Sequence, residues 1–445
     1  MTTTPRPEMR AFRSPRMPTF QESSLSGGLH VVAMRSARVP LVEMRLIFPL
    51  SGEQLLHRAD PLVMSRSVLA GTERYSREEL AAAFERLGGF ISARVGRDTL
   101  EVSASALSSR LRDLLGLVCE VLTGAVYPDT EVRTDRARTA DEIMILLSRP
   151  EVLADEAFAK RIFARHPYGS GIPRPNSLRR VEAPVLRDLH RAVFRPRAAH
   201  LVLVGDIQPR RALSIAEAEL GAWLGTRVKK DAALPPLPPI RPGALELVDR
   251  PGSVQSNLRV GGRAPGRADP DWPATSLAHA IFGGMFTSRL VANLRERNGY
   301  TYSPRLSVSH DRAGSTATIT AEVSTDVTAA SLVETRYELG RIASVGVSDE
   351  ELESARQYTI GSFFVRTATQ AGLASTVAAL ARVGVGPEYI ASHPKRLARA
   401  TKAEVDDAAR RYLAPASLAT IVVGEAEAVS GQLSLLDEVT TRRAR

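Results

Sequence analysis

The sequence has one cysteine, Cys119, in 445 residues. A single thiol makes neither an internal disulfide nor a cysteine-built zinc site, and such scarcity fits a reducing compartment. Aromatic residues are 5% of the chain, which leaves few platforms for stacking bases. Positive charge is not scarce, with Lys+Arg 59 against Asp+Glu 49. Only five of these are lysines, however, and the arginines are scattered. Basic runs stop at two residues, as in Arg179-Arg180, Lys229-Lys230 and Arg410-Arg411. A nucleic-acid arm needs a denser cluster, so nucleic acid is not expected as a partner. No apolar run reaches 18 residues, so no membrane partner is expected either. The eight histidines are His30, His57, His166, His190, His200, His279, His310 and His393. No two lie three or four apart, so no helix offers a histidine pair to a metal. A serine nucleophile elbow and a glycine-rich phosphate loop are also missing.

What remains is an ordinary globular composition, 44% hydrophobic and 24% charged, long enough for two or more domains. Residues 1–25 carry Arg6, Arg10, Arg13 and Arg16 between Pro5, Pro7, Pro15 and Pro18. Prolines break the amphipathic helix of a targeting peptide, and no apolar signal core follows, so a flexible tail on a cytoplasmic protein is expected. Lys229–Gly243 contains Pro235, Pro236, Pro238, Pro239 and Pro242, an extended, semi-rigid linker. It separates an N-terminal domain, 26–228, from a C-terminal domain, 244–428, followed by a tail, 429–445.

The two halves resemble each other. Phe194–Asp206, ending in Leu-Val-Leu-Val-Gly205-Asp206, matches Leu413–Glu425 at an offset of 219. Asp129–Val132 with Arg136 matches Asp349–Leu352 with Arg356 at 220, and Leu29–Val32 matches Leu245–Val248 at 216. Three matches in one order argue for a duplicated domain. Strands are expected at Leu29–Val32, Leu41–Phe48 and Leu201–Val204. A hairpin is expected from Phe90–Val95 and Thr99–Ala106. Ser76-Arg-Glu-Glu79 is a capping box opening a helix, and Leu111–Leu122 and Ala137–Leu147 read as further helices. The second half repeats the order, with helices near Ala274–Phe282 and Leu290–Arg297 and a hairpin turning at Asp311–Gly314. The fold class is α+β, two homologous sandwiches of sheet and helix.

One segment carries chemistry: Ile281-Phe-Gly-Gly-Met-Phe-Thr-Ser-Arg-Leu290, then Leu294-Arg295-Glu-Arg-Asn-Gly-Tyr300-Thr-Tyr302-Ser303. The pair Gly283-Gly284 before Met285 lets another backbone come close. Arg295 ends a helix and Tyr302 begins a strand across the Gly299 turn, so both side chains could converge on one carbonyl oxygen. The same residues also read as a glycine helix junction with a surface arginine and a half-buried tyrosine.

The duplicated halves, the glycine loop and the Leu-Arg-x(6)-Tyr pattern resemble the pitrilysin–insulinase metallopeptidases, above all the two-domain members related to mitochondrial processing peptidase. The resemblance covers nearly all of 26–428. It implies that two such domains form half of a clamshell chamber. One domain of such a chamber carries zinc on an H-x-x-E-H motif and a distant glutamate, and another supplies an arginine–tyrosine pair to the substrate. Counted back from the family landmark Gly71-Thr72, the motif falls on Leu62, Val63, Met64, Ser65 and Arg66, and the distant glutamate near Glu142. Ser92-Ala93 replaces the Asn-Ala of the family's substrate-binding edge strand. Metal site positions Leu62, Ser65, Arg66 and Glu142 are thus degenerate, and no cofactor is expected in this chain. The resemblance implies a non-catalytic subunit of a heteromeric zinc metallopeptidase. Arg295 and Tyr302 would be its catalytic contribution, and Gly283, Gly284 and Met285 would meet the peptide substrate. The zinc is expected in an H-x-x-E-H-containing homologous partner, making a heterodimer. A structural or assembly protein with no part in proteolysis is the alternative, and a lone peptide-binding module is a third reading.

Overall fold

Along Leu41–Pro49, Val42, Met44, Leu46 and Phe48 enter one hydrophobic core, while Ile47 enters another. With Glu43 and Arg45 buried beside Ile47 on the second face, this two-residue alternation marks a strand covered on both sides. The computed structural model of the chain describes residues 17–225, 234–240 and 243–444. Its first sheet contains β1 (Phe20–Ser24), β2 (His30–Arg35), β3 (Leu41–Pro49), β4 (Phe90–Val95), β5 (Thr99–Leu107) and β6 (His200–Gly205), in the order β1-β2-β6-β3-β5-β4. The second contains β7 (Leu245–Asp249), β8 (Gln255–Ala264), β9 (Arg305–Asp311), β10 (Gly314–Ser324), β11 (Ala419–Gly424) and β12 (Val439–Arg443), in the order β12-β7-β11-β8-β10-β9. Among the helices, α1 (Ala59–Ser67), α2 (Asp129–Leu147), α3 (Pro150–Phe163), α4 (Trp272–His279), α5 (Asp349–Thr367), α6 (Gln370–Ala381) and α7 (Tyr389–Arg399) position the features described below. This is an α+β fold of two like units.

Five strands of each sheet follow the same order with the same polarity. β2 runs parallel to β6 and β7 parallel to β11, and the other core pairings are antiparallel. Gly205 lies opposite Arg35 and Gly424 opposite Asp249, so β2 corresponds to β7 at an offset of 214, pairing Val31 with Leu245. The match of Leu29–Val32 to Leu245–Val248 is therefore two residues out. A two-residue slip keeps every side chain on its face, so hydrophobic pattern alone does not reveal it. The repeated Val-Gly has a steric cause: a Cβ on Gly205 would sit 2.3 Å from Leu41 O, and one on Gly424 2.5 Å from Ser256 Oγ.

The sixth strands correct both expected tails. Phe20–Ser24, within the stretch read as a flexible tail, is β1 and pairs antiparallel with β2. The C-terminal stretch contains β12, which runs parallel to β7. Each covers an edge whose N–H and C=O groups would otherwise be bare. Residues 1–16 lie outside the described residues, as do 229–233 and 241–242 of the linker. Of the remaining linker, Leu234, Leu237 and Ile240 pack on the first core. Pro235 O bonds His166 Nε2 at 3.0 Å, and Pro238 O accepts from Arg263 Nη2 at 2.6 Å. The extended segment thus runs docked along both halves.

The halves also exchange helices. α3, from the first half, lies on β8 and β11, and α6, from the second, lies on β3 and β6. A buried arginine marks each crossing, Arg45 on β3 and Arg259 at the corresponding place on β8. Arg45 Nε donates to Ser375 Oγ of α6 at 3.2 Å, and Arg259 Nε donates to Asp155 Oδ1 of α3 at 2.6 Å. Between the two hairpin turns, the buried Asp98 Oδ2 accepts from Tyr168 Oη and from the backbone N–H of Arg312.

A buried histidine group in the second half gives the chain a pH response. His279 of α4, His310 of β9 and His393 of α7 lie around Trp272 and Tyr389, with Trp272 Nε1 donating to Tyr389 Oη at 2.9 Å. Burial pushes the His279 pKa from 6.5 down to about 4, and neither ring nitrogen has a partner among the described residues. Burial, then Arg267 among other positive neighbours, takes His310 and His393 to about 3. These bases are neutral when folded and charge more readily when unfolded, so their contribution is present above about pH 6.5 and is lost as pH falls toward 3–4. For His279 alone the drop corresponds to about 3 kcal/mol. Urea denaturation from pH 7.5 to 4 is expected to show stability falling with acid, and His279→Leu to flatten the slope. An unchanged slope in the variant would contradict this assignment.

Candidate functional site

On α1, residues at i, i+3 and i+4 share a face, which places Leu62, Ser65 and Arg66 together. Val63 and Met64 between them are fully buried in the first core. Leu62 packs against that core with no donor to offer. Ser65 is buried, and its hydroxyl donates to Leu62 O at 2.8 Å. Arg66 is exposed and reaches across to α2, where its Nη2 lies 3.0 Å from Glu142 Oε2. The structure thus brings together Arg66 and Glu142, 76 positions apart in sequence. Further along the same helices Ser67 Oγ donates to Asp135 Oδ2 at 2.9 Å, and Arg77 pairs with Asp135 and Glu131. These residues do not fit a zinc ion. A catalytic zinc needs about three protein ligands, whereas here one carboxylate is held by a cation and its neighbours are a hydrocarbon and an engaged hydroxyl. No group of three histidine, cysteine or acidic side chains with metal-binding spacing occurs among the described residues. Beside α1 runs β4, which among the described residues pairs only with β5. Its outer edge is open, with Ser92 exposed and Ala93 half-buried. Such an edge can accept an extended strand.

The second grouping is built by a chain that winds wide before and after its glycines. Ala280–Gly284 and Ala292–Arg297 are π-helical turns, and the Met285 N–H donates to Ala280 O at 3.2 Å. Leu290 and Leu294 are fully buried in the second core. Arg289 forks onto Glu351 of α5 at 2.6 and 2.7 Å, and Asn293 Nδ2 donates to Glu334 and Glu338 at 2.8 and 2.9 Å. With those positions anchored, Arg295 is left on the outward side. Gly299 turns the chain at φ 65°, a conformation that strains other residues, and Tyr302 returns beside Arg295.

Three expectations change here. Tyr302 lies in the loop before β9, which starts at Arg305, and it is 80% exposed, not half-buried. Arg295 and Tyr302 do meet, but by stacking: Arg295 Cζ lies 4.9 Å from the Tyr302 ring centre. Met285 is buried in the second core, so its side chain is not presented at the surface. Gly283 is buried against Leu306, and Gly284 is exposed. The residue that sequence reasoning missed is Phe286, 67% exposed, whose ring centre lies 4.4 Å from Arg295 Cζ. Its only signal was a large apolar residue followed by Thr287 and Ser288 just beyond the glycines. Arg295 Nε pairs with Glu296 at 3.1 Å, and no other acceptor reaches the guanidinium among the described residues.

Comparison with known proteins follows the same lines. The profile of the family described as "Peptidase M16 inactive domain" matches residues 180–358, a span that contains the glycine loop, Arg295 and Tyr302. A Streptomyces coelicolor protein described as an uncharacterized zinc protease is 24% identical over 322 residues, covering 71% of this chain and 68% of its own length. Residues 180–358 thus match the M16 peptidase family, and the chain as a whole shares the fold of an M16 inactive domain. The match spans about half the length of the mycobacterial relatives, which are also described as uncharacterized zinc proteases. The fold agrees with the crystal structure of a peptidase M16 inactive domain from Pseudomonas fluorescens, with a TM-score of 0.82 and 21% identity over 92% of this chain and 98% of that one. It also agrees with the periplasmic protease PqqL from Escherichia coli, with a TM-score of 0.78 and 16% identity over 95% of this chain but only 48% of that one. The M16 fold seen here is two units, against a longer chain in that protease. No helix among the described residues is long and apolar enough to cross a membrane.

Proposed function

We propose that this chain is the non-catalytic subunit of a two-chain zinc metallopeptidase. Its role is to hold a peptide substrate through Arg295 and Tyr302 while a homologous partner bearing H-x-x-E-H brings the metal. The observation that carries the reading is the exposed pair itself. A tyrosine four-fifths open to solvent beside a cation contributes little to a core, yet both groups are held on an anchored loop. Arginine is always charged and tyrosine is a neutral donor, so together they can bind a peptide carbonyl and the oxyanion that forms from it. The Arg66–Glu142 pair supports the other half of the reading, because it spends the one carboxylate that a metal site here would need. The coverage of the longer periplasmic protease, about half, is consistent with a chain that is half of an assembly.

The test is reconstitution. Co-expressed with an H-x-x-E-H homologue from the same source, the chain is expected to elute as one heterodimer and to cleave a quenched peptide only when both chains are present. Separate peaks at micromolar concentration, with full cleavage by the partner alone, would leave the structural-protein alternative.

A further inference from the structure

Phe286 is a large apolar ring held 67% exposed between buried residues of its loop. Met285 before it is in the core, and Ser288 and Arg289 after it are buried. The ring is therefore placed by fixed neighbours, not left on a free strand of surface. Its face lies against Arg295 at 4.4 Å, on a guanidinium that Tyr302 also covers at 4.9 Å. We infer that Phe286 is a positioning residue for Arg295: with Tyr302 it clamps the guanidinium between ring faces, so that the N–H groups not engaged by Glu296 point to a substrate carbonyl in one orientation.

The physical argument is one of freedom and solvation. An arginine side chain has many rotamers to lose on binding, and a cation over a ring is attracted to its face, more strongly as water is excluded. Two rings on one guanidinium recover much of that freedom before the substrate arrives, which is preorganisation of a donor. The Arg295 side chain is only 26% exposed although both rings are open, so the cation is largely shielded while its loop stays on the surface. The outward ring surface that remains favours a substrate with a bulky apolar side chain beside the carbonyl held by Arg295. Phe286 forms no bond to the reacting atoms in this account; it acts through Arg295.

This inference rests on the substrate-holding role proposed above, and its test separates the two. In the reconstituted complex, turnover of a quenched peptide with leucine beside the scissile bond is compared with one bearing glycine there, for the wild type, Phe286→Ala, Phe286→Leu, Phe286→Tyr and Arg295→Ala. Phe286→Ala and Phe286→Leu are expected to lower kcat/KM by roughly threefold to thirtyfold on the leucine peptide, the range of a ring–cation contact. Phe286→Tyr, which keeps the ring, restores most of it. Recovery by leucine as good as by tyrosine would overturn the positioning role, because apolar bulk alone would then suffice. Arg295→Ala with full turnover would overturn the substrate-holding reading, and this inference with it. Arg295→Ala inactive with Phe286→Ala fully active would overturn only this inference. A readout free of any partner is the NMR spectrum of the Arg295 side chain in the chain alone. Its ring-shifted signals are expected in the wild type and Phe286→Tyr and to move in Phe286→Ala and Phe286→Leu. Unmoved signals in those two variants would equally reject the clamp.

Discussion

Arg295→Ala and Tyr302→Phe are each expected to lower turnover of the reconstituted complex by about one to three orders of magnitude, the range for losing a donor to a developing oxyanion. The two substitutions remove different things. Arg295→Ala takes away the cation and empties the space between Phe286 and Tyr302. Tyr302→Phe keeps the ring over the guanidinium and deletes only the hydroxyl, so its loss measures the hydrogen bond apart from the stacking. Thermal unfolding should change little, because Tyr302 is 80% exposed and surface substitutions usually stay within about 0.5 kcal/mol. A purely structural role gives the reverse pattern, a lowered melting temperature with activity per folded complex intact. Full turnover in both variants would remove the substrate-holding role from this half of the chain.

The second large effect concerns zinc. The purified chain alone is expected to hold none and to cleave nothing, whereas Leu62→His/Arg66→His should bind about one zinc per chain. Residues 62 and 66 are one turn apart on α1, and freeing Glu142 from Arg66 supplies a third ligand of the type a zinc site uses. Leu62→His alone should bind far more weakly, since the Arg66 cation stays in the site. Metal analysis after dialysis reads occupancy, and zinc-dependent melting reads affinity, with about 2.7 kcal/mol of stabilisation at a hundredfold excess over Kd. Ser65 is left in place, so the double variant binds without gaining the residue that would activate water. Stoichiometric zinc and chelator-sensitive proteolysis in the wild-type chain would overturn the reading of this half. A double variant that binds nothing would mean that 62, 66 and 142 do not converge closely enough to share an ion.

Much of this site was written in one dimension. Leu62, Ser65 and Arg66 follow one another at helical spacing, and the anchor for locating them, Gly71-Thr72, lies a few residues on. Glu142 was reached by counting, and in the fold it lies within 3.0 Å of Arg66. Arg295 and Tyr302 were also legible, being seven apart across one glycine turn. Their manner of meeting was not. Convergence of two polar tips and stacking of a guanidinium on a ring need the same spacing, and the choice depends on where Arg289 and Asn293 are pinned by residues 41 to 62 positions away. Met285 and Phe286 show the limit most plainly. Both are large and apolar and adjacent, and only the exit direction of the wide turn buries the first and exposes the second.

The sequence by itself determined the duplication, most of the strand and helix order within each half, the absence of an H-x-x-E-H string and the nearness of Arg295 to Tyr302. These depend on periodicity, on glycine and proline placement and on residue type, which are local. Only the tertiary structure decided how the halves join. α3 and α6 cross to the opposite sheets, Arg45 and Arg259 are buried at those crossings, and β1 and β12 close the edges that the duplicated core leaves bare. An amphipathic helix carries the same pattern whichever apolar sheet face it covers. A strand near a terminus reads as a tail until an unpaired edge stands next to it. Burial against a distant partner, and not propensity along the chain, sets both outcomes.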